Sequence, residues 1–115
     1  MPEWKEITTI EEWSKEMEQS VHTPILVLKH STRCPISTAA WEECVKYTQK
    51  KITDHVRYIL VKVIESRPVS NLIAEDLNVE HASPQLILLK DKQAVWNTSH
   101  WSITQENIEK QLKQI

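Results

Sequence analysis

Cys34-Pro35-Ile36-Ser37 follows the apolar run Pro24-Ile25-Leu26-Val27-Leu28 and opens a segment with helical periodicity. A thiol in the first turn of a helix meets unpaired backbone N–H groups and the positive end of the helix dipole, both of which favour a thiolate. The thiolate is the form that attacks disulfides. Arg33 immediately before it adds charge of the same sense, so Cys34 is the expected nucleophile. The other cysteine, Cys44, lies ten residues further along. On one continuous helix that spacing is about 15 Å of rise, beyond the Cα separation a disulfide permits. Cys44 is expected as a small buried hydrophobe, with a resolving role as the lesser alternative. Neither cysteine belongs to a zinc-type spacing, and His22, His30, His55, His81 and His100 show no ligand pattern such as H-E-x-x-H. No metal is expected. His81 and His100 could instead approach Cys34 as imidazoles that lower its thiol pKa.

The elements that must position Cys34 follow from periodicity. Thr9 with Glu12 forms a capping box before Ile10, Trp13 and Met17, so residues 9–19 read as an amphipathic helix. Residues 24–30 read as a buried strand. From Pro35 a helix continues to about Lys51, with the proline tolerated in its first turn. The β-branched run 56–64 reads as a second strand, and Ser66 before Arg67-Pro68 caps a short helix through Leu72, Ile73 and Leu77. Residues 85–90 and 93–96 flank a tight turn and predict a hairpin. The last helix, from about Thr104, carries Ile108, Leu112 and Ile115 on one face. This order predicts an α/β fold of thioredoxin-like type: one domain over 1–115 with a central four-stranded mixed sheet flanked by helices. The hairpin's first strand must then run antiparallel to 24–30, which brings Pro84 near Cys34 and draws residues 97–101 to the same edge.

Composition excludes other chemistry. The chain has 115 residues, 40% of them hydrophobic and 26% charged, with a formal net charge of -2. Dispersed charge of that sign offers no field for nucleic acid. No apolar run approaches the roughly 20 residues that cross a bilayer, and the N-terminus has no leader-like apolar region, so a cytoplasmic protein is expected. There is no glycine at all, which excludes the Walker A loop and the G-x-G-x-x-G turn. Turns must rest on Asn, Asp, Ser and Pro, and Asp91-Lys92 and Asn97-Thr98-Ser99 supply them. Trp13 and Trp41 fall on apolar helical faces and are expected in the core, Trp4 near a fraying terminus. Trp96 and Trp101 flank the edge of Cys34; packing suits both, and Trp101 better suits a client or thiol groove. Lys46, Lys50 and Lys51 read as a solvated helix face.

Ser83-Pro84 stands where thioredoxin-like proteins place a cis-proline opposite the nucleophile. More closely, His30-Ser31-Thr32-Arg33-Cys34-Pro35-Ile36-Ser37 together with His81-Ala82-Ser83-Pro84-Gln85, Trp96 and Ser99-His100 resembles the monothiol bacilliredoxins of the YtxJ type over nearly the whole chain. Departures are Arg33 where that family often has Thr and Ala82 where it often has an acidic residue. The resemblance implies thiol–disulfide exchange with bacillithiol as co-substrate: Cys34 takes the bacillithiol from a bacillithiolated client protein and carries it until another low-molecular-weight thiol removes it. It implies a monothiol route, because Ser37 replaces the resolving cysteine of dithiol relatives and can donate a hydrogen bond to the Cys34 thiolate. Ser83 would align the incoming disulfide through its backbone, and Thr32, His81, His100 and Trp101 would line the groove.

Two other readings fit the same residues. Cluster-carrying monothiol glutaredoxins share C-x-x-S and hold an iron–sulfur centre with that cysteine, although Pro35 stiffens the loop where they have glycine. A thioredoxin-like module that binds partners without chemistry would use the same groove.

Overall fold

The computed structural model describes residues 4–50 and 55–114; the expectations for the residues before Trp4, for Lys51 and for Ile115 lie outside them. The elements run β1 (Trp4–Glu6), α1 (Ile10–Gln19), β2 (Ile25–His30), α2 (Pro35–Lys50), β3 (Arg57–Lys62), α3 (Arg67–Leu77), β4 (Gln85–Lys90), β5 (Gln93–Ser99), a 3-10 turn (His100–Ser102) and α4 (Gln105–Leu112). The strands form one sheet in the order β1-β3-β2-β4-β5. β1, β3 and β2 are mutually parallel, while β4 runs antiparallel to β2 and β5 to β4.

The sheet therefore has five strands where periodicity predicts four. The additional one, β1, is three residues long and has no alternation of its own. Its place is set by pairing with β3, from Trp4 opposite Tyr58 to Glu6 opposite Leu60. Trp4 is not frayed: its ring packs against Trp41 and Tyr58, and its indole N–H donates to Thr48 Oγ1 at 3.3 Å.

β2 is buried along its whole length, which is why it reads as an unbroken apolar run. Leu26 and Leu28 face Cys44 and Tyr47 of α2 and Ile108 and Leu112 of α4. Ile25 and Val27 face Trp13 of α1 and Val69 and Ile73 of α3. Strand alternation then assigns Lys29 to the α1/α3 face and His30 to the α2 face. Trp13 ties α1 to α3 through its indole N–H, which donates to Asp76 Oδ2 at 2.9 Å. The capping box at Thr9 and Glu12 is present as expected.

Register defines two edges of the sheet. At one, Arg57 pairs with Ile25 and Ile25 with Leu89. Here the β4–β5 hairpin closes on Asp91 and Lys92, whose φ angles of 52° and 63° give the doubly positive turn that usually takes Asn-Gly. Ser20 holds it, accepting from the Asp91 N–H on its carbonyl and from the Lys92 N–H on Oγ, at 2.8 and 2.9 Å. At the other edge Lys29 pairs with Gln85 and Gln85 with Ser99. Asn97-Thr98-Ser99 are not a turn but the end of β5, opposite Ile87, Leu86 and Gln85. An edge strand with one face in water accepts such polar residues. Among the described residues, no helix is long and apolar enough to cross a membrane.

Candidate functional site

Cys34 ends the short loop between β2 and α2. Its carbonyl accepts the Thr38 N–H at 3.0 Å, which makes it the N-cap of α2, and its own N–H donates to the Ser31 carbonyl at 3.3 Å. Pro35 is then the first helical residue, where the missing N–H has no intrahelical partner to lose. Cys34 is partly open to solvent, and Arg33 and Thr32 beside it are exposed. The Thr32 hydroxyl donates to Glu65 Oε2 at 3.3 Å, which links this loop to the one before α3.

Ser37 is fully buried, and its bonds differ from the expectation. Its Oγ accepts the Ser31 N–H at 2.8 Å and lies 2.7 Å from His30 Nδ1. In the Nε2–H tautomer of His30 the Ser37 hydroxyl donates to that ring nitrogen, and it makes no bond to Cys34. The cause is the helical offset: Ser37 points back into the β2–α2 junction, toward the end of the strand. Ser37 therefore braces the loop. The His30 ring stacks near Trp41, with centroids 6.1 Å apart. Burial first, and then the Lys62 charge, hold the imidazole below its ordinary pKa of 6.5.

The Ser83–Pro84 bond is cis, as in the expected loop. Because Gln85 pairs with Lys29, one further step of the ladder sets Pro84 level with His30 and Ser83 level with the Cys34 loop. The Pro84 carbonyl accepts the His100 N–H at 3.1 Å, which brings the 3-10 turn to the same edge. Trp101 on that turn is 70% exposed. With His100 it walls a cleft of about 250 Å³ against Ala39, Ala40 and Glu42 of α2. Trp96 lies against the core, partly buried. Cys44 is 0% exposed, and burial together with the Glu43 charge pushes its thiol far above its ordinary pKa.

His81 points to a group that the motif reading passed over. Its Nδ1 lies 3.2 Å from Nζ of Lys29, a lysine with no solvent exposure in the middle of the sheet. Burial lowers the Lys29 pKa to about 8. Burial and the charges of Lys29 and Arg67 hold His81 below 6.5. The signal in the sequence was a lysine inside an apolar run, at the position that alternation places with Ile25 and Val27. Among the described residues, no three His, Cys, Asp or Glu side chains come together as a metal site.

Comparison with known proteins agrees with this geometry. The family model described as "Monothiol bacilliredoxin BrxC" matches residues 5–108. A solved protein described as a proposed oxidoreductase with a thioredoxin fold is similar at 27% identity and a TM-score of 0.81, over 92% of this chain and 90% of its own. Mitochondrial thioredoxin 3 from Saccharomyces cerevisiae, at 21% identity and a TM-score of 0.74 over 97% and 95% of the two chains, shares the fold. So does thioredoxin NaTrxh from Nicotiana alata, at 19% and 0.76 over 99% and 94%. The family match and the fold support a thiol oxidoreductase. The chain belongs to the monothiol bacilliredoxin family.

Proposed function

We propose that this protein removes bacillithiol from client proteins by a monothiol exchange at Cys34, in the cytoplasm. The observation that carries the reading is the contrast between the two thiols. Cys34 is a solvent-reachable N-cap beside the cis-proline loop, whereas Cys44 is sealed in the core, and the position three residues after Cys34 holds a buried hydroxyl. With no second thiol in reach, a mixed disulfide formed at Cys34 waits for an external thiol.

The step balances without an added oxidant. Sγ of the Cys34 thiolate attacks the bacillithiol sulfur of the client's mixed disulfide. A new S–S bond forms on Cys34, the old one breaks, and its electron pair leaves on the client sulfur, which is protonated by solvent. A second low-molecular-weight thiolate then attacks the bacillithiol sulfur held on Cys34 and departs with it as a symmetric or mixed small disulfide. In this reading the Ser83 backbone, level with the Cys34 loop in the ladder, aligns the incoming disulfide. His30 and Ser37 fix the loop so that the sulfur is held by a braced backbone.

Intact-mass analysis tests this directly. Reduced protein mixed with a bacillithiolated client is expected to gain one bacillithiol on Cys34 and release the client thiol. A glutathionylated client serves as the comparison. Absence of any adduct from either client would favour the binding-module reading.

A further inference from the structure

The described carboxylate–cation pairs, at both edges of the sheet, close within the chain. Arg57 and Lys5 meet Glu16, Lys62 meets Glu6, Lys92 meets Glu18 and Lys113 meets Glu109. The described cations without a described carboxylate partner, Arg67, Arg33 and Lys15 among them, are exposed, with Lys29 as the exception. Lys29 is fully buried, where an ammonium is costly unless it is paired. Its hydrogen-bond partner is His81.

That contact fixes the chemistry that the pair offers. An ammonium only donates, so Nδ1 of His81 accepts and the ring proton sits on Nε2. His81 is exposed, so an N–H donor backed by a buried positive charge is presented at the surface. Arg67, the exposed first residue of α3, is close enough for its charge to act on the same imidazole. Neither Glu65 nor Glu80, the acidic residues on the flanking loops, makes an ion pair with Lys29, His81 or Arg67 among the described contacts. Glu65 takes the Thr32 hydroxyl, and Glu80 enters through its carbonyl, which accepts from Gln85 Nε2 at 2.9 Å. Two further polar atoms at this junction, Gln85 Oε1 and Ser83 Oγ, are buried without a partner. Gln85 pairs with Lys29 in the sheet, and Ser83-Pro84, just before it in the chain, lies at the level of the Cys34 loop.

We propose that His81 and Arg67, with Lys29 behind them, form a carboxylate-recognition subsite on the rim of the Cys34 groove that holds the small-thiol half of the mixed disulfide. The inference rests on the exchange reading above and deepens it. A disulfide has two sulfurs, and attack on the wrong one would leave the client, not the small thiol, attached to Cys34. Anchoring the small half by its carboxylate brings that half's sulfur to Cys34 and leaves the client sulfur as the leaving group. The S–S bond to the client breaks and its electron pair departs on the client sulfur. The charge on Lys29 remains uncompensated in the free protein because the bound carboxylate is its counter-charge.

The test uses one client cysteine blocked with 3-mercaptopropionate or with its carboxamide, and again with 6-mercaptohexanoate or its carboxamide to allow for reach. Intact mass reads both the rate and the species left on Cys34. At one length or both, the carboxylate is expected to react about tenfold faster than the amide, a preference expected of a charge-assisted hydrogen bond. It is also expected to leave mainly the small thiol on Cys34. His81→Gln and Arg67→Gln, both at exposed positions, should bring the acid-to-amide ratio toward one and raise the share of client–Cys34 adduct. Raised salt should shrink the preference in the wild type. Exchange that proceeds at equal rates for acid and amide at both lengths overturns the subsite and leaves the exchange reading standing. An acid preference that both variants retain also overturns it. No exchange with any of the four disulfides overturns the exchange reading and the subsite with it.

Discussion

The α1/α3 face of the sheet carries a buried charge at each edge, and the two are built differently. At the hairpin edge Glu16 is buried and takes a bidentate grip from Arg57, Nε at 2.9 Å and Nη2 at 2.7 Å, with Lys5 at 3.9 Å. At the Cys34 edge Lys29 is buried against an imidazole, with no described carboxylate in contact. A charge that ties α1 to β3 needs its partner within the chain, because an uncompensated ion there would only weaken the fold. The charge at the other edge keeps its compensation external, beside the accessible cysteine and the cis-proline loop. The fold pairs its buried charge at one edge with a guanidinium and leaves the buried charge at the other edge without a carboxylate, where the chemistry is proposed.

The largest effect that separates the edges is chemical. Cys34→Ser should abolish exchange in the intact-mass assay, a loss of at least about a thousandfold given how weakly a hydroxyl attacks a disulfide. Cys44→Ala should leave the first exchange step within about twofold, because its sulfur lies in the core away from the groove. Loss of the first step in Cys44→Ala with normal far-UV circular dichroism would reverse those assignments. Next in size is the closed edge. Glu16→Gln leaves Arg57 without its counter-charge and should cost about 2–3 kcal/mol in urea unfolding, below the full value for a sealed pair because Arg57 is partly open to water. The acid-to-amide preference at Cys34 should not change with it.

The open edge predicts the opposite sign. Lys29 has its pKa lowered to about 8 in the folded protein from an ordinary 10.5. Below pH 8 both states carry the charge and the folded one bears the cost of burying it. Between pH 8 and 10.5 the unfolded chain holds more protons than the folded one, so this group makes stability rise with pH across that window. Cys44 works against it: its thiol is pushed up by burial from an ordinary 9, so the unfolded chain loses a proton first and stability falls as pH rises above that value. The difference between wild type and Lys29→Met isolates the lysine. The variant should be more stable at pH 7 by about 1–2 kcal/mol, a figure reduced for screening through the exposed His81. Its advantage should fade by pH 10.5; an advantage that is constant with pH would assign the gain to packing. On the acid side His30 and His81, both held below 6.5, should make stability fall as pH drops below that value.

Much of this was legible before the structure, and the rest was hidden for definite reasons. The order of helices and strands around Cys34 could be read because each long element carries its own period, and Pro84 could be placed because antiparallel pairing has one outcome. β1 was hidden because three residues have no period, and only the ladder with β3 defines them. Asn97-Thr98-Ser99 have turn-forming residue types, yet pairing with β4 extends them. Ser37 was read from its spacing to Cys34, whereas its partners are set by the end of β2, where His30 and Ser31 meet it. Lys29 needed a partner 52 residues away before it meant anything.

The smallest expected effect lies at the tip of the hairpin and tests whether the closed edge is built for stability alone. Lys92 has φ of 63° in a chain without glycine. A side chain in that region costs about 1–2 kcal/mol, while glycine gives back part of the gain through the freedom it has when unfolded. Lys92→Gly keeps the backbone N–H that donates to Ser20 Oγ and loses only the exposed ion pair with Glu18, worth about 0–1 kcal/mol. The net gain in urea unfolding should be about 0.5 kcal/mol, with no change in exchange at Cys34. A clear loss of stability would mean that the Lys92 side chain contributes more to this edge than its ion pair, and the two edges would then differ less than their charges suggest.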